Sequence, residues 1–336
     1  MFEFPFPLRR NRALDRARRH TVAWVRHCGL TPSEESESWF AMWDIPRLAS
    51  YGFPDASPQG LELASDAMAF FFLFDDQFDG PLGLRPDRVA QVCQEFIDVV
   101  HGLRPRGAAA PALRAFADLW DRCRAGASAS WQVRAAGEWE YYFAAHAHEA
   151  INRLRGEPAG FDEYLEVRRG IAATDLPLSL GERAAGLDLP PVALHAPGLR
   201  ILRRTAIEIT FMCNDVYSLE KEESRGDMDN LVLVIEHEDA LSRDAALARA
   251  WREIGERCAR FTALVTRVPG VCAGLGLTER QTAVVHGYVD VMTGWIRGYH
   301  EWETETLRYA HAGEILPAHG PGYFDHLVAF TEDENV

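Results

Sequence analysis

Phe71-Phe72-Leu73-Phe74-Asp75-Asp76-Gln77-Phe78-Asp79 is the stretch on which the reading of the chain turns. Four apolar residues run straight into an acidic cluster. The run closes a segment, from Pro58 to Gly80-Pro81, that has no breaker after Gly60, which is helix length rather than strand length. In a helix, Asp75 and Asp79 stand four apart and share one face. Carboxylates so placed converge on a hard divalent cation. Magnesium takes oxygen ligands, keeps several waters, and usually binds one or two carboxylates together with substrate phosphates. A solvated acidic turn is the plain alternative, but the macrodipole opposes acids at a helix C-terminus, and exposed clusters seldom follow an apolar stretch.

Further along, Asn214-Asp215-Val216-Tyr217-Ser218-Leu219-Glu220-Lys221-Glu222 repeats the theme with different chemistry. Asn214, Ser218 and Glu222 recur every fourth residue and line one helical stripe. An amide oxygen, a hydroxyl and a carboxylate give a neutral-to-monoanionic oxygen site, appropriate to magnesium whose other positions go to diphosphate and water. Lys221, seven residues from Asn214, lies near the same stripe and can reach a phosphate oxygen. A polar face stitched by Lys and Glu pairs is the competing reading. The preceding Ile207, Ile209, Phe211 and Met212 are apolar, so the stripe is expected to enter a cavity rather than open water.

Helix punctuation recurs, and signs of strands are few. Thr31-Pro32-Ser33-Glu34 reads as a cap, a first-turn proline and an acid three residues on; Ser57-Pro58 repeats the cap and proline, and Thr278 with Gln281 repeats the box. Long helical segments are expected from about Leu199 to Ser224 and from about Glu279 to Tyr309. Loops fall at Gly80 to Pro86, Arg104-Pro105-Arg106-Gly107, Gly186 to Pro191 and Gly320-Pro321-Gly322. With no fixed-period repeat and no clear linker, the expectation is an all-α fold and a single domain over 1–336.

Composition narrows the function. A formal net charge of -15 repels polyanions and argues against a nucleic-acid surface. The six cysteines form no CxxC pair, so neither structural zinc nor a disulfide framework is expected, and a cytoplasmic setting fits. The longest strongly apolar run, Ala67 to Phe74, is far short of the ~18 residues a membrane span needs. The arginines from Arg9 to Arg19 read as a solvated helix start rather than a targeting segment. No P-loop, GxGxxG or GxSxG motif is present. His146 and Glu149 stand three apart, but a di-iron bundle wants paired ExxH motifs.

Taken together, the two motifs, about 135 residues apart, resemble those of the bacterial class I terpene synthases, with an aspartate-rich motif and an Asn-Ser-Glu triad. Tyr164-Leu165-Glu166-Val167-Arg168-Arg169 is similar to the segment carrying the family's diphosphate-sensing arginine, and Arg168 stands 46 residues before Asn214, the family's usual offset. Trp295 to Gly298, then Trp302 and Arg308-Tyr309, resembles the family's closing Arg-Tyr pair; Phe4 to Pro7 and Phe40 to Pro54 also look family-like. The acidic linker that relatives often carry three residues after that arginine is missing, and Ala172 or Ala173 is left to supply the effector carbonyl.

The resemblance implies a helical bundle around a deep apolar cavity, three magnesium ions held by Asp75, Asp79, Asn214, Ser218 and Glu222, and a prenyl diphosphate gripped by Arg168, Lys221, Arg308 and Tyr309. Phe71, Phe72 and Trp302 are the expected cavity aromatics, able to stabilise a cation by roughly 0.5 to 2 kcal/mol each. Two large rings near the metal leave less depth, which favours farnesyl diphosphate and a cyclic sesquiterpene product. A diterpene cyclase acting on geranylgeranyl diphosphate, a chain-elongating prenyl transferase and a non-catalytic helical binding protein are the alternatives. The segment from Tyr309 to Phe324 is expected to order over the bound diphosphate. The oligomeric state is left open, a homodimer included.

Overall fold

The structure is a computed structural model, and it describes residues 3–105, 109–173, 175–309 and 327–328. Among these, fifteen α-helices and two short 3-10 turns account for all regular structure. The segment expected to close over the diphosphate lies outside the described residues beyond Tyr309, as does the expected loop at Gly320-Pro321-Gly322.

The apolar run decides the packing as well as the class. In the helix Pro58–Asp75, Phe70 and Phe74 stand one turn apart and stack at 5.4 Å, both against Phe96 of the helix Pro86–Val100 and Phe143 of the helix Ala129–Arg155. Met68, Phe71, Phe72 and Asp75 share the opposite face and line an internal cavity. One run of aromatics thus serves two surfaces, core and cavity, because helical periodicity separates neighbours by about 100°.

The far wall depends on missing side chains. Gly294 and Gly298 of the helix Glu279–Glu305 lie against the backbone of Tyr51 and Gly52; a Cβ on Gly298 would sit 2.4 Å from the Tyr51 carbonyl carbon. That close approach sets the Trp295 ring against Phe53, stacked at 5.3 Å, and brings Trp295 and Tyr299 to the cavity.

Several expectations about ends are met and others corrected. Ser57 and Thr278 cap their helices, and Thr278 forms the reciprocal box with Gln281. At the second helix the cap is Ser33, not Thr31, and its reciprocal partner is Ser36. Pro32 precedes the cap, where an extended residue is wanted. The long last helix ends at Glu305, not Tyr309, where the Thr306 hydroxyl turns back to bond the Trp43 carbonyl at 3.0 Å. The basic start is solvated and paired: Arg16 bonds Glu62, and Arg18 bonds Asp15 and Asp44. All six cysteines are free, and no helix among the described residues is long and apolar enough to cross a membrane.

Candidate active site

The cavity has an empty volume of about 1010 Å³, mouth included. Its lining follows one rule in three helices. Along Pro58–Asp75 it runs Met68, Phe71, Phe72, then Asp75; along Pro197–Ser224 it runs Ile207, Thr210, Phe211, then Asn214, Lys221 and Glu222; along Ala129–Arg155 it runs Tyr142, then Glu149. Each helix is apolar first and polar toward its C-terminus. The result is an apolar chamber with a charged rim.

At the aspartate end the single helix expected to carry Asp75 and Asp79 ends early, although both residues line the cavity. The α-helix stops at Asp75, and Asp76–Phe78 continue as a 3-10 turn, closed by the Gln77 amide donating to the Leu73 carbonyl at 2.9 Å. The tighter turn sends the acids in different directions. Asp76 takes both forks of Arg308, at 2.7 and 2.8 Å, and Lys221 at 3.1 Å. Burial alone would raise the Asp76 carboxyl, but Arg308 and Lys221 hold it well below the usual carboxylate range. Asp79 pairs with Lys221 and Arg225. Asp75 lines the cavity with its side chain 42% exposed, and its neighbour is His146 at 3.7 Å. Burial pushes its carboxyl up, and His146 and Lys221 pull it below its ordinary value.

The second motif is knitted differently. Asn214 accepts from Arg168 at 2.9 Å and donates to Glu303 at 3.1 Å and the Tyr309 hydroxyl at 3.0 Å. Ser218 donates to the Asn214 carbonyl at 2.7 Å, which is why it is buried and does not line the cavity as Asn214 and Glu222 do. Glu222 takes one bond from Asn230 at 2.8 Å; burial pushes its carboxyl up to about 7, with Arg168 opposing.

Arg168 sits on the cavity, and what aims it is a residue sequence reasoning passed over. Asp215 is fully buried and accepts from Tyr164 at 2.5 Å, from Arg168 at 2.6 and 2.8 Å, and from the Leu231 backbone at 2.8 Å. The adjacency Asn214-Asp215 was the available signal: helix neighbours face different sides, so the amide could serve the cavity and the acid its frame. Ala172 and Ala173 both line the cavity just beyond Arg168; Ala173 has a positive φ of 53°, and its carbonyl accepts from Leu176 at 2.9 Å.

Phe71 and Phe72 reach the cavity, but Trp302 does not line it. Its ring is fully buried behind Phe72, 5.3 Å away, with its indole N–H donating to the Trp43 carbonyl at 2.8 Å. Tyr299 and Trp295, one and two turns earlier, take the wall position. Phe72 also carries the Arg308 guanidinium 4.7 Å above its ring, so it joins the wall to the rim.

Residues 66–260 match the family described as terpene synthase family 2, C-terminal metal binding. Over 334 residues the chain is 36% identical to (-)-beta-caryophyllene synthase ((2E,6E)-farnesyl diphosphate cyclizing) of Saccharothrix espanaensis, covering 98% of this chain and 94% of that one. It is also 36% identical over 322 residues to pristinol synthase of Streptomyces pristinaespiralis, covering 92% and 84%. Among solved structures, germacradien-4-ol synthase from Streptomyces citricolor matches with a TM-score of 0.83 at 37% identity, covering 90% of this chain and 98% of that one. The chain belongs to the terpene synthase family.

Proposed function

We propose that the protein ionises farnesyl diphosphate and cyclises the resulting allylic cation to a sesquiterpene, as a single-domain cytoplasmic enzyme acting with three magnesium ions. The observation that carries this reading is the polarity of the cavity: aromatic and aliphatic walls at depth, and the charged lining residues either on the C-terminal stretch of a helix or in the segment just beyond its end. The caryophyllene synthase relative, whose name specifies the same substrate, supports the chain length.

The donor set suits magnesium. Asp75 is free of cationic side chains at hydrogen-bond distance, Glu222 keeps one oxygen unbonded and Asn214 adds a neutral oxygen, while the buried Ser218 hydroxyl would join them only by rotating away from the Asn214 carbonyl. When bound, the metals neutralise charge on the departing diphosphate. Asp79 stands at the rim as a further carboxylate, tied at present to Lys221 and Arg225.

The chain's own groups do the rest. Arg168, Lys221, Arg308 and Tyr309 surround the space where the leaving group sits, and Arg308 and Lys221 exchange Asp76 for phosphate oxygens. Ala172, which lines the cavity, is left to supply the effector carbonyl, since that of Ala173 accepts from Leu176. Phe71, Trp295 and Tyr299 exclude water and present ring faces to the cation.

The deciding experiment incubates the purified protein with magnesium and each of geranyl, farnesyl and geranylgeranyl diphosphate, with extracts read by mass spectrometry. A cyclic fifteen-carbon product from farnesyl diphosphate, at the highest kcat/KM, is expected. A higher kcat/KM with geranylgeranyl diphosphate, elongation with isopentenyl diphosphate, or no diphosphate release would overturn it.

A further inference from the structure

We propose that Asp75, His146 and Glu149 form a second metal site, with one nitrogen and two oxygen ligands, that takes a borderline divalent ion such as cobalt or zinc in preference to magnesium. Their donor atoms all lie within 4.8 Å of one another. They come from two elements: Asp75 ends the helix Pro58–Asp75, and His146 and Glu149 stand three apart on the helix Ala129–Arg155. Two of the three lie outside the magnesium ligands proposed above.

His146 carries the argument. It is fully buried, and its Nδ1 lies 2.9 Å from the Tyr142 carbonyl. A carbonyl only accepts, so Nδ1 bears a proton and donates; in the neutral ring Nε2 then offers a free lone pair, and in the imidazolium it carries the proton that faces Asp75 and that a metal would replace. That Nε2 has no hydrogen-bond partner. It stands 3.7 Å from Asp75 Oδ1, too far for a hydrogen bond but close to the ~3 to 3.5 Å between two donors that share an ion at about 2.1 Å. A histidine whose other nitrogen is pinned by a backbone carbonyl is how proteins fix the tautomer of a metal ligand. A buried imidazole nitrogen left unpaired otherwise loses its water for nothing.

The surroundings leave the site room for a cation. Arg153 is held by the carbonyls of Phe78 and Gly83 and approaches Glu149 no nearer than 3.6 Å. The Tyr142 hydroxyl, on the same helix as His146 and lining the cavity, is also buried and unpartnered, and would suit a water on the ion. Imidazole with two carboxylates balances a divalent charge. Imidazole favours zinc, iron, nickel and copper, whereas magnesium prefers oxygen alone. An ion here would share the Asp75 carboxylate and compete with magnesium for its orientation and charge. That consequence rests on the proposed role of Asp75; the binding itself does not.

Substrate-free full-length protein titrated with cobalt(II) chloride tests the binding, followed by d–d absorption and by electron paramagnetic resonance for coupling to histidine nitrogen. One cobalt per chain with such coupling is expected, and His146→Gln and Glu149→Gln should each weaken it by about 10-fold or more. Circular dichroism identifies any variant that fails to fold, and either variant suffices. Zinc(II) should then inhibit magnesium-driven turnover, with a weaker effect in Glu149→Gln relative to that variant's own uninhibited rate. No nitrogen coupling, or unchanged cobalt affinity in a folded variant, overturns the site. Cobalt bound through His146 with no zinc inhibition upholds the site and overturns its competition with magnesium for Asp75.

Discussion

The two motifs at the cavity rim manage their charge in opposite ways. At the aspartate end, Asp76 and Asp79 are fully paired with Arg308, Lys221 and Arg225, and the Asp76 carboxyl is held well below its ordinary range. Around the Asn214 stripe the acids are crowded by burial instead: Glu222 and, beyond the end of its helix, Asp229 are both pushed up to about 7, and Glu303 of the last helix is driven well above its ordinary value. The first region stores cations beside carboxylates, ready to be handed to a diphosphate. The second stores protons that a metal would displace. A site that must receive both an anion and several cations benefits from having each kind of charge already balanced before either arrives.

The comparison is broken most directly by removing one ligand from each side. Asp75→Ala and Asn214→Ala are each expected to lower kcat by about 100-fold or more, the scale seen when one preorganised electrostatic group is lost. Far-ultraviolet circular dichroism should stay helical in both. Asp76→Asn should lose less, because Asp76 holds Arg308 and Lys221 rather than an open position. A wild-type rate in either alanine variant would remove its side of the site from the mechanism.

A large effect of a different kind is expected at Asp215. Tyr164, Arg168 and the Leu231 backbone all donate to its buried carboxylate. Asp215→Asn leaves the Arg168 charge uncompensated, and breaking such a buried pair costs about 3 to 5 kcal/mol. Urea denaturation measures it. An unchanged midpoint would mean that Arg168 is held by Asn214 alone, and that the stripe has no separate frame.

How much of this was legible in the sequence follows from what each residue depends on. Asp75, Asn214 and Glu222 were found because helical spacing places them, and spacing is local. The helix was carried too far because the partners that hold Asp79 beyond its end, Lys221 and Arg225, lie well over a hundred residues away. Trp302 was expected at the cavity as a large ring on the last long helix; only the Phe72 ring packed over it shows that it stands behind the wall while Trp295 and Tyr299 meet the cavity. His146 was set aside for lack of a second ExxH motif, whereas its partner is a carboxylate on another helix.

The opposite charge states also predict opposite responses to pH. In the unfolded chain a carboxyl titrates near 4, while Glu222 and Asp229 in the fold keep their protons to about 7. The folded state then binds more protons, so its stability is greatest below about pH 4 for these groups and is lost as pH rises through about 7. Asp76, with its depressed value, works the other way and loses its contribution only in acid. Metal-free protein should therefore melt lower at pH 8 than at pH 5.5, by roughly 2 to 4 °C. Glu222→Gln should flatten the difference, and a slope unchanged in that variant would assign it elsewhere.

The smallest effect on rate, and the sharpest on product, is expected at the chamber wall. Phe72 is a poor place to test it, because its ring lies under Arg308 and against Trp302, and shortening it loosens the rim as well as the wall. Phe71 is cleaner. It lines the cavity, and its ring stacks on Trp139 at 4.9 Å and meets Tyr142 edge-on, with no contact to Arg308 or Lys221 among its ring partners. Phe71→Ala opens the chamber while leaving the acid end as it is. The cation then has more room and a less closely fitted template, so acyclic and early-quenched products should rise as a fraction of the total. Turnover of geranylgeranyl diphosphate should rise relative to farnesyl diphosphate, and kcat should fall by less than about 10-fold. Product profiles at saturating magnesium, with the magnesium concentration for half-maximal rate measured alongside, separate wall from rim. A shifted magnesium requirement with an unchanged product profile would place Phe71 with the ligands rather than the template.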